Sequence, residues 1–461
     1  MPILENFENE SSSNQLQRLN EALQGGMFVQ VRMMLNELPP ADVAHFLEST
    51  PPKERDILWR LINTEREGQV LQFLDDEIRN EYAAQMEPAE LAAATRDLEI
   101  DDQADILGDL PDKIVKEVLA SMRVQDRHRI EHALSYPEDT AGGLMNTNLV
   151  TVRPQVTIEV VMRYIRMKGD LTKTTDCIYV VDSEDRFLGS VSLCALLTSQ
   201  PDQIVDDVVD HEVHPIAIDL PDADVARLFE RRDLISAPVV DDQGKLVGRI
   251  TIDDVVDVIM QNAGHSLMSM AGLGETDDTF APIIASAKRR ALWLGINLIT
   301  VMVAVSVIGV FEETIKIVTA LAILQPIVPS MGGIAGTQTL TLVIRGLSVG
   351  HISSNNFRWL MMKELGVSCI NGVLWAIVVG LSVFLWFNFV QFSEYAFQLS
   401  VIIAGAMVIN LIVGATAGAA LPMIMRRLNI DAALSGGVVL TTVTDMVGFF
   451  SFLGLATVFF L

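Results

Sequence analysis

The sequence predicts a multidomain membrane protein: a cytosolic α-solenoid, a repeated α/β unit, and then a five-helix all-α transmembrane domain. Three observations predict this. The hydrophobic residues, 50% of the chain, are segregated: the sequence is charged up to about Ile284, and apolar runs dominate from Ala291 onward. Residues 15–135 break into short segments with apolar positions three and four apart. Residues 136–262 carry two copies of one strand–turn–strand–helix pattern.

Charge follows the same division. Of 33 basic and 59 acidic residues, nine and six lie in 285–461, which leaves a balance of −29 on residues 1–284. So negative a field attracts cations, and it excludes nucleic acid and anionic lipid headgroups as partners of the soluble part. The mean hydropathy of +0.35 excludes a purely soluble protein. Cys177, Cys194 and Cys369 are far apart, so neither disulfides nor a zinc site is indicated. The polar start MPILENFENESSSNQ has no signal-peptide pattern, and residues 1–14 are expected to form a disordered cytosolic tail. His45, His128, His132, His211, His214, His265 and His351 are scattered and read as surface or packing residues. With no catalytic constellation and no G-x-x-x-x-G-K-[ST] loop, an enzyme is not expected.

In residues 15–135, segments such as LQRLNEAL, ADVAHFLEST and DKIVKEVLASM are separated by Pro39-Pro40, Pro51-Pro52, Pro88 and Pro111, as in stacked helix pairs. DLEIDDQADILGDLP puts Asp101 and Asp105 one helical turn apart, with Asp97, Asp102 and Asp109 nearby. Like charges at that spacing repel. Either a cation relieves them, or Asp101 or Asp102 is an N-cap. In residues 136–200 and 201–262, DCIYVVDSEDRFLGSVSLCALL and ISAPVVDDQGKLVGRITIDDVVDVI are the two repeats. A connecting helix is expected over residues 263–290.

Five segments are long enough to cross a hydrocarbon core that needs about 20 helical residues: Ala291–Phe311, Val318–Ile344, Leu365–Phe387, Phe397–Leu421 and Leu434–Phe460. Lys288, Arg289, Arg290, Arg345, Arg358, Lys363, Arg426 and Arg427 flank one side; Glu312, Glu313 and Glu394 flank the other, with only Lys316. The positive-inside rule then predicts a multi-pass protein of the cell (inner) membrane, with a cytoplasmic N-terminus and a periplasmic or extracellular C-terminus. In the second span Pro326, Pro329, Gly332, Gly333 and Gly336 fall within eleven residues, so it is expected to kink or unwind beside a water-filled cavity, to pack closely through small residues, or both. Asp445 is the one acidic residue well inside a span, at a cost of about 2.5–3.5 kcal/mol at a bilayer centre, which marks either an ion path or a protonated or structurally paired Asp. Thr441, Thr442 and Thr444 lie on the turn before it. One carboxylate with hydroxyls and carbonyls favours hard cations, and a hydrated Mg2+ bound through one carboxylate from each of two subunits fits that set.

The second repeat reads Gly248-Arg249-Ile250-Thr251-Ile252-Asp253-Asp254, and the pair resembles tandem CBS domains. The resemblance implies adenine nucleotide, such as ATP, at Thr251 and Asp254; the first repeat has Ala195 where the second has Asp254. The order of domains, PEDTAGGLM at Pro137–Met145, the Gly-Gly second span and T-x-x-D-x-x-G at Thr442–Gly448 together resemble the MgtE family of magnesium channels over nearly the whole chain. That resemblance implies a homodimer in the lipid bilayer, with an intersubunit pore lined by the second and fifth spans. It gives Asp445, Thr441, Thr444, Gly332, Gly333 and Thr337 as candidate pore residues. Asp101, Asp105, Asp233, Asp253, Asp254, Asp257 and Asp431 become candidates for sensing cytosolic Mg2+, whose binding would close the pore with the connecting helix as a plug. Two departures stand out. Ile334 and Ala335 follow Gly332-Gly333 where the family often has amides, and Met260–Ser266 carries no carboxylate, the nearest acids being Asp257, Glu275, Asp277 and Asp278. The alternatives are a non-conducting sensor of cation or nucleotide, and a channel whose main ion is cobalt or manganese.

Overall fold

Proline starts several helices of the N-terminal part. Pro40, Pro52 and Pro88 occupy the first helical turns of α3 (Pro40–Glu48), α4 (Pro52–Trp59) and α7 (Pro88–Ala94), where a missing N–H costs nothing. The turn signals of the sequence are therefore helix starts. The structure is a computed structural model that describes residues 12–169, 171, 174–273, 278–353, 355–428 and 430–461. Glu275, Asp277 and most of the expected tail lie outside the described residues, while helix α1 (Ser12–Gln24) begins inside that tail. Two compact units result: residues up to 263 with 276–282, and residues 264–275 with 283–461.

Ten described helices, ending with α10 (Val124–Ala133), build the N-terminal part of the first unit. From α3 onward helices pack on the helix two further along, α3 on α5 (Thr64–Leu71), α5 on α7 and α7 on α9 (Asp112–Ser121), which is the stacking of an α-solenoid. Leu35, Leu47, Leu58, Leu71, Leu91 and Leu107 fill its buried seam, and Trp59 stacks on Tyr82 with ring centroids 4.5 Å apart.

The α/β part holds two three-stranded sheets of one design. β1 (Thr151–Val152) runs parallel to β2 (Cys177–Val181), which pairs antiparallel with β3 (Phe187–Ser192); β4 (Ile216–Ala217), β5 (Ser236–Val240) and β6 (Leu246–Thr251) repeat this. The registers Cys177↔Ser192 and Ser236↔Thr251 correspond, and each copy shifts register at the same place, after Val180 and after Val239. PEDTAGGLM docks on the second repeat: Ala141 N–H donates to the Leu220 carbonyl at 2.7 Å and Gly142 N–H to that of Ile218 at 2.9 Å.

The single connecting helix over 263–290 is corrected. Helix α14 (Ile252–Met270) ends at Gly272, whose φ of +71° and whose N–H to the Ser269 carbonyl at 2.9 Å form a C-terminal cap; a new helix starts only at Ile283. Between them Asp278 returns to the solenoid. Arg55 Nη1 donates to Asp278 Oδ2 at 2.8 Å, with 1% and 7% of the two side chains exposed, and Asp278 N–H donates to Glu77 Oε2 at 3.1 Å.

Five helices of the second unit are long and apolar enough to span a membrane: Ile283–Val310, Ala320–Ser348, Phe357–Phe389, Ala396–Arg427 and Gly436–Phe460. The fourth packs on the second, third and fifth, and the first packs on the fifth with Ala304 as its one described buried residue. The second breaks at Gln325–Pro326 and then runs helical from Ile327 to Ser348. Its glycines are not unwound. A Cβ on Gly414 would stand 2.5 Å from the Gly332 carbonyl oxygen, and one on Gly418 would strike that of Gly336, so the second and fourth spans meet backbone to backbone.

Candidate functional site

On the fifth span, Leu440, Thr444 and Gly448 form the buried stripe, while Thr441 is exposed and Asp445 half-buried. Thr441 and Asp445 are four residues apart and so share the open side. Among the described residues Asp445 has no hydrogen-bond or ion-pair partner. Thr444 faces inward: its hydroxyl donates to the Leu440 and Thr441 carbonyls at 3.1 and 3.0 Å, and its methyl lies 3.4 Å from where a Cβ of Gly414 would stand. On the neighbouring second span, Ser330, Thr337, Gln338 and Thr341 are exposed. The Thr337 hydroxyl is bonded at 2.8 Å to the Gly333 carbonyl, and Gly332 is buried. Of the six expected pore residues, Asp445, Thr441 and Thr337 stand on open helix faces, Gly333 is half-buried, and Thr444 and Gly332 serve helix packing.

Two polar residues of this unit were missed in the sequence. Asn410, fully buried on the fourth span, donates through Nδ2 to the Val328 carbonyl at 2.8 Å; it was legible as a lone amide in AMVINLIVG. Glu364, one residue before the expected third span, is buried in that span's helix, where it accepts from Thr339 Oγ1 at 3.1 Å and Lys363 Nζ at 2.7 Å. Asp431 lies in the same unit, and its Oδ2 is 3.1 Å from Nε2 of His265, a histidine read from the sequence as an ordinary one.

In the first unit the expected sensing residues divide. Asp101, at the start of α8 (Ile100–Gly108), is buried and accepts from Asn146 Nδ2 at 3.2 Å. Burial, then the Asp254 charge on α14, hold its carboxyl well above the usual range. Burial and Asp105 push Asp102 up to about 7, and burial and Asp253 push Asp254 up to about 7. Burial carries Asp105 to about 6 against the pull of Arg79, with Glu138 and Asp109 as further neighbours. Burial, then Asp253, also raise Asp257. Asp233 is exposed at the end of the helix Asp222–Arg232, with φ +52°, a place that suits a short polar side chain. Thr251 N–H and Oγ1 donate to Asp254 Oδ2 at 3.4 and 3.0 Å, and Thr251 Oγ1 also donates to Asp253 Oδ1. Among the described residues no three His, Cys, Asp or Glu side chains converge to hold a metal ion. The crowded carboxylates are oxygen donors suited to a hard divalent ion, which needs only one or two of them beside its own water.

Residues 325–455 match the family profile described as a divalent cation transporter, residues 38–139 the MgtE intracellular N domain, and residues 141–201 and 205–261 the CBS domain. The magnesium transporter MgtE of Thermus thermophilus is 31% identical over 447 residues, covering 95% of this chain and 97% of that one. The chain belongs to the MgtE family. The magnesium transporter MgtE of Bacillus subtilis is 26% identical over 439 residues, 95% of either chain. The crystal structure of the cytosolic domain of the Mg2+ channel MgtE in complex with ATP is 32% identical, covers 53% of this chain and 99% of that one, and has a TM-score of 0.49. As an MgtE protein the chain is a multi-pass membrane transporter and not an enzyme.

Proposed function

We propose that the chain is a magnesium channel of the cell membrane, working as a homodimer whose ion pathway is lined by the second and fifth spans and is closed by Mg2+ on the cytosolic side. One observation carries the reading: Asp445, a carboxylate in the middle of an apolar helix, is unpartnered among the described residues and stands on an open face with Thr441. In lipid such a face is costly; against a second copy it would line a polar conduit. Exposed Ser330, Thr337, Gln338 and Thr341 on the neighbouring second span support the same assignment. The names of relatives covering 95% of the chain support magnesium as the ion. Lys288–Arg290, Arg345 and Arg426-Arg427 support a cytoplasmic N-terminus and an outside C-terminus. Two charges moving inward gain about 4.6 kcal/mol per 100 mV, so the membrane potential suffices as driving force.

Asp445→Asn should abolish divalent uptake in a magnesium-dependent strain while dimers still form; normal uptake by that variant would remove Asp445 from the pathway. If wild-type chain in liposomes passes no divalent ion, the non-conducting sensor takes its place, and flux of cobalt or manganese above magnesium would change the ion.

Repulsion between Asp101 and Asp254 supports the gating arm. A divalent ion bound there would favour the packed arrangement of solenoid and second repeat, because only that arrangement brings the charges together. Asp105, Asp233, Asp253, Asp257 and Asp431 complete the proposed sensing set. At the second repeat, Thr251 and Asp254 would hold the ribose and phosphate of an adenine nucleotide. Thr251→Val should then weaken ATP binding at least about tenfold in calorimetry; unchanged affinity would move the nucleotide elsewhere.

A further inference from the structure

Asn410 is an amide with no exposed surface in the apolar heart of the membrane unit. Its Nδ2 donates to the Val328 carbonyl at 2.8 Å on the second span, and its Oδ1 is buried with no partner among the described residues. Two glycines make room for it. A Cβ on Gly332 would fall inside the Asn410 side chain, and one on Gly448 of the fifth span would stand 2.9 Å from Nδ2. One amide thus wedges the crossing of the second, fourth and fifth spans. Gly448 is three residues past Asp445 on the same helix. Gly332 adjoins Gly333, whose carbonyl holds the Thr337 hydroxyl at 2.8 Å.

Stability alone does not account for an amide here. A buried polar group that leaves an acceptor unpaired is costly, and an apolar side chain of the same outline would avoid that cost. Interhelical amide bonds in membranes fix which backbone faces which. We infer that Asn410 is a positioning residue of the ion pathway. By gripping the Val328 carbonyl and seating Gly332 and Gly448, it sets the distance and rotation of the second span against the helix that carries Asp445. This rests on the reading of Asp445 as the pathway carboxylate.

The test uses the full-length chain in liposomes, with Mg2+ and Ca2+ flux and thermal unfolding read for each protein. Asn410→Ala should lower Mg2+ flux about tenfold and shift the Mg2+/Ca2+ ratio. Gly332→Ala should do worse, since its methyl meets the amide. Asn410→Ala combined with Gly332→Ala should recover flux to the level of Asn410→Ala alone, because the three nearest atoms to the new methyl all belong to Asn410. Asn410→Leu, similar in outline, keeps the proposal testable should the alanine variants fold poorly: it should unfold at or above the wild-type temperature yet lose the wild-type ion ratio. A merely structural role would move stability and leave the ratio alone. Wild-type rate and ratio in Asn410→Leu, or a Gly332→Ala defect equally severe with and without the Asn410 side chain, would overturn the inference. Asp445→Asn is run beside them. If it conducts normally, the pathway reading has failed, whereas a dead Asp445→Asn with unaltered Asn410 variants sinks this inference alone.

Discussion

At the scale of single residues, the first unit is held at neutral pH under electrostatic stress. Asp102 and Asp254 titrate at about 7 and Asp105 at about 6, each chiefly because burial disfavours the charged form. An unfolded aspartate titrates near 3.9. Between roughly pH 4 and 7 the folded chain therefore holds protons that the unfolded chain has released, and this stabilisation is lost as pH rises through the folded values. Without divalent ions, the unit should unfold several degrees lower at pH 8 than at pH 5.5. Millimolar magnesium should narrow the gap, because a bound cation replaces the protons. Calorimetric scans at both pH values, with and without EDTA, check this; a Tm that climbs with pH would contradict the burial of these groups. Glu48, pushed up to about 7 by burial beside Asp75, adds to the same trend.

At the scale of elements, the second span decides the architecture of the membrane unit. Proline breaks it at Pro326, but the glycines after the break are helical and serve contact. Gly336 meets Gly418 across the second and fourth spans, and Leu440 of the fifth covers the outer side. The fourth span answers with its own small residues, Gly414, Ala415, Gly418 and Ala419, all buried. Gly418→Ala would drive a methyl into the Gly336 carbonyl, which sits on backbone and cannot rotate away. The spans must part, at a cost of about 1–3 kcal/mol. The expected result is a lower Tm in detergent with cytosolic ATP or Mg2+ binding unchanged, whereas Gly437→Ala, with open space around its would-be Cβ, should be neutral. The gap between helices α14 and Ile283–Val310 belongs to this scale too. Gly272 in a left-handed conformation ends the first of these helices, and the buried Arg55–Asp278 pair holds Asp278 on the solenoid.

At the scale of the whole molecule, the second and fifth spans leave polar residues uncovered. Thr441, Thr337 and Thr341 are exposed there, and a single chain offers nothing to cover them among the described residues. A symmetric second copy would place equivalent stripes opposite each other. Thr441→Cys, in a chain whose Cys177, Cys194 and Cys369 are replaced by serine, should form a disulfide-linked dimer on mild oxidation. Cysteine at Ile370, exposed on the third span, should not. Monomer only from Thr441→Cys would place the conduit elsewhere.

The five spans, the lone carboxylate at Asp445 inside one of them, the repeated strand pattern and the acidic balance were all legible in the sequence, because each rests on local composition or periodicity. Bilayer thickness fixes span length, desolvation makes a lone aspartate conspicuous, and pleat and helix periods show in any short window. What the order of residues did not disclose is which small residues touch which backbone. That depends on helix rotation, and rotation is a property of the packed set. The glycines of the second span were open to two readings, unwound or close-packed, until Gly414 and Gly418 were found against their carbonyls. Asn410 and Glu364 were visible as letters, but only their partners, Val328 and Thr339, give them roles. Asp101 and Asp254 lie 153 positions apart in the chain. Their mutual repulsion exists only once solenoid and repeat have folded together, since charges act through distance in space and the sequence records distance along the chain.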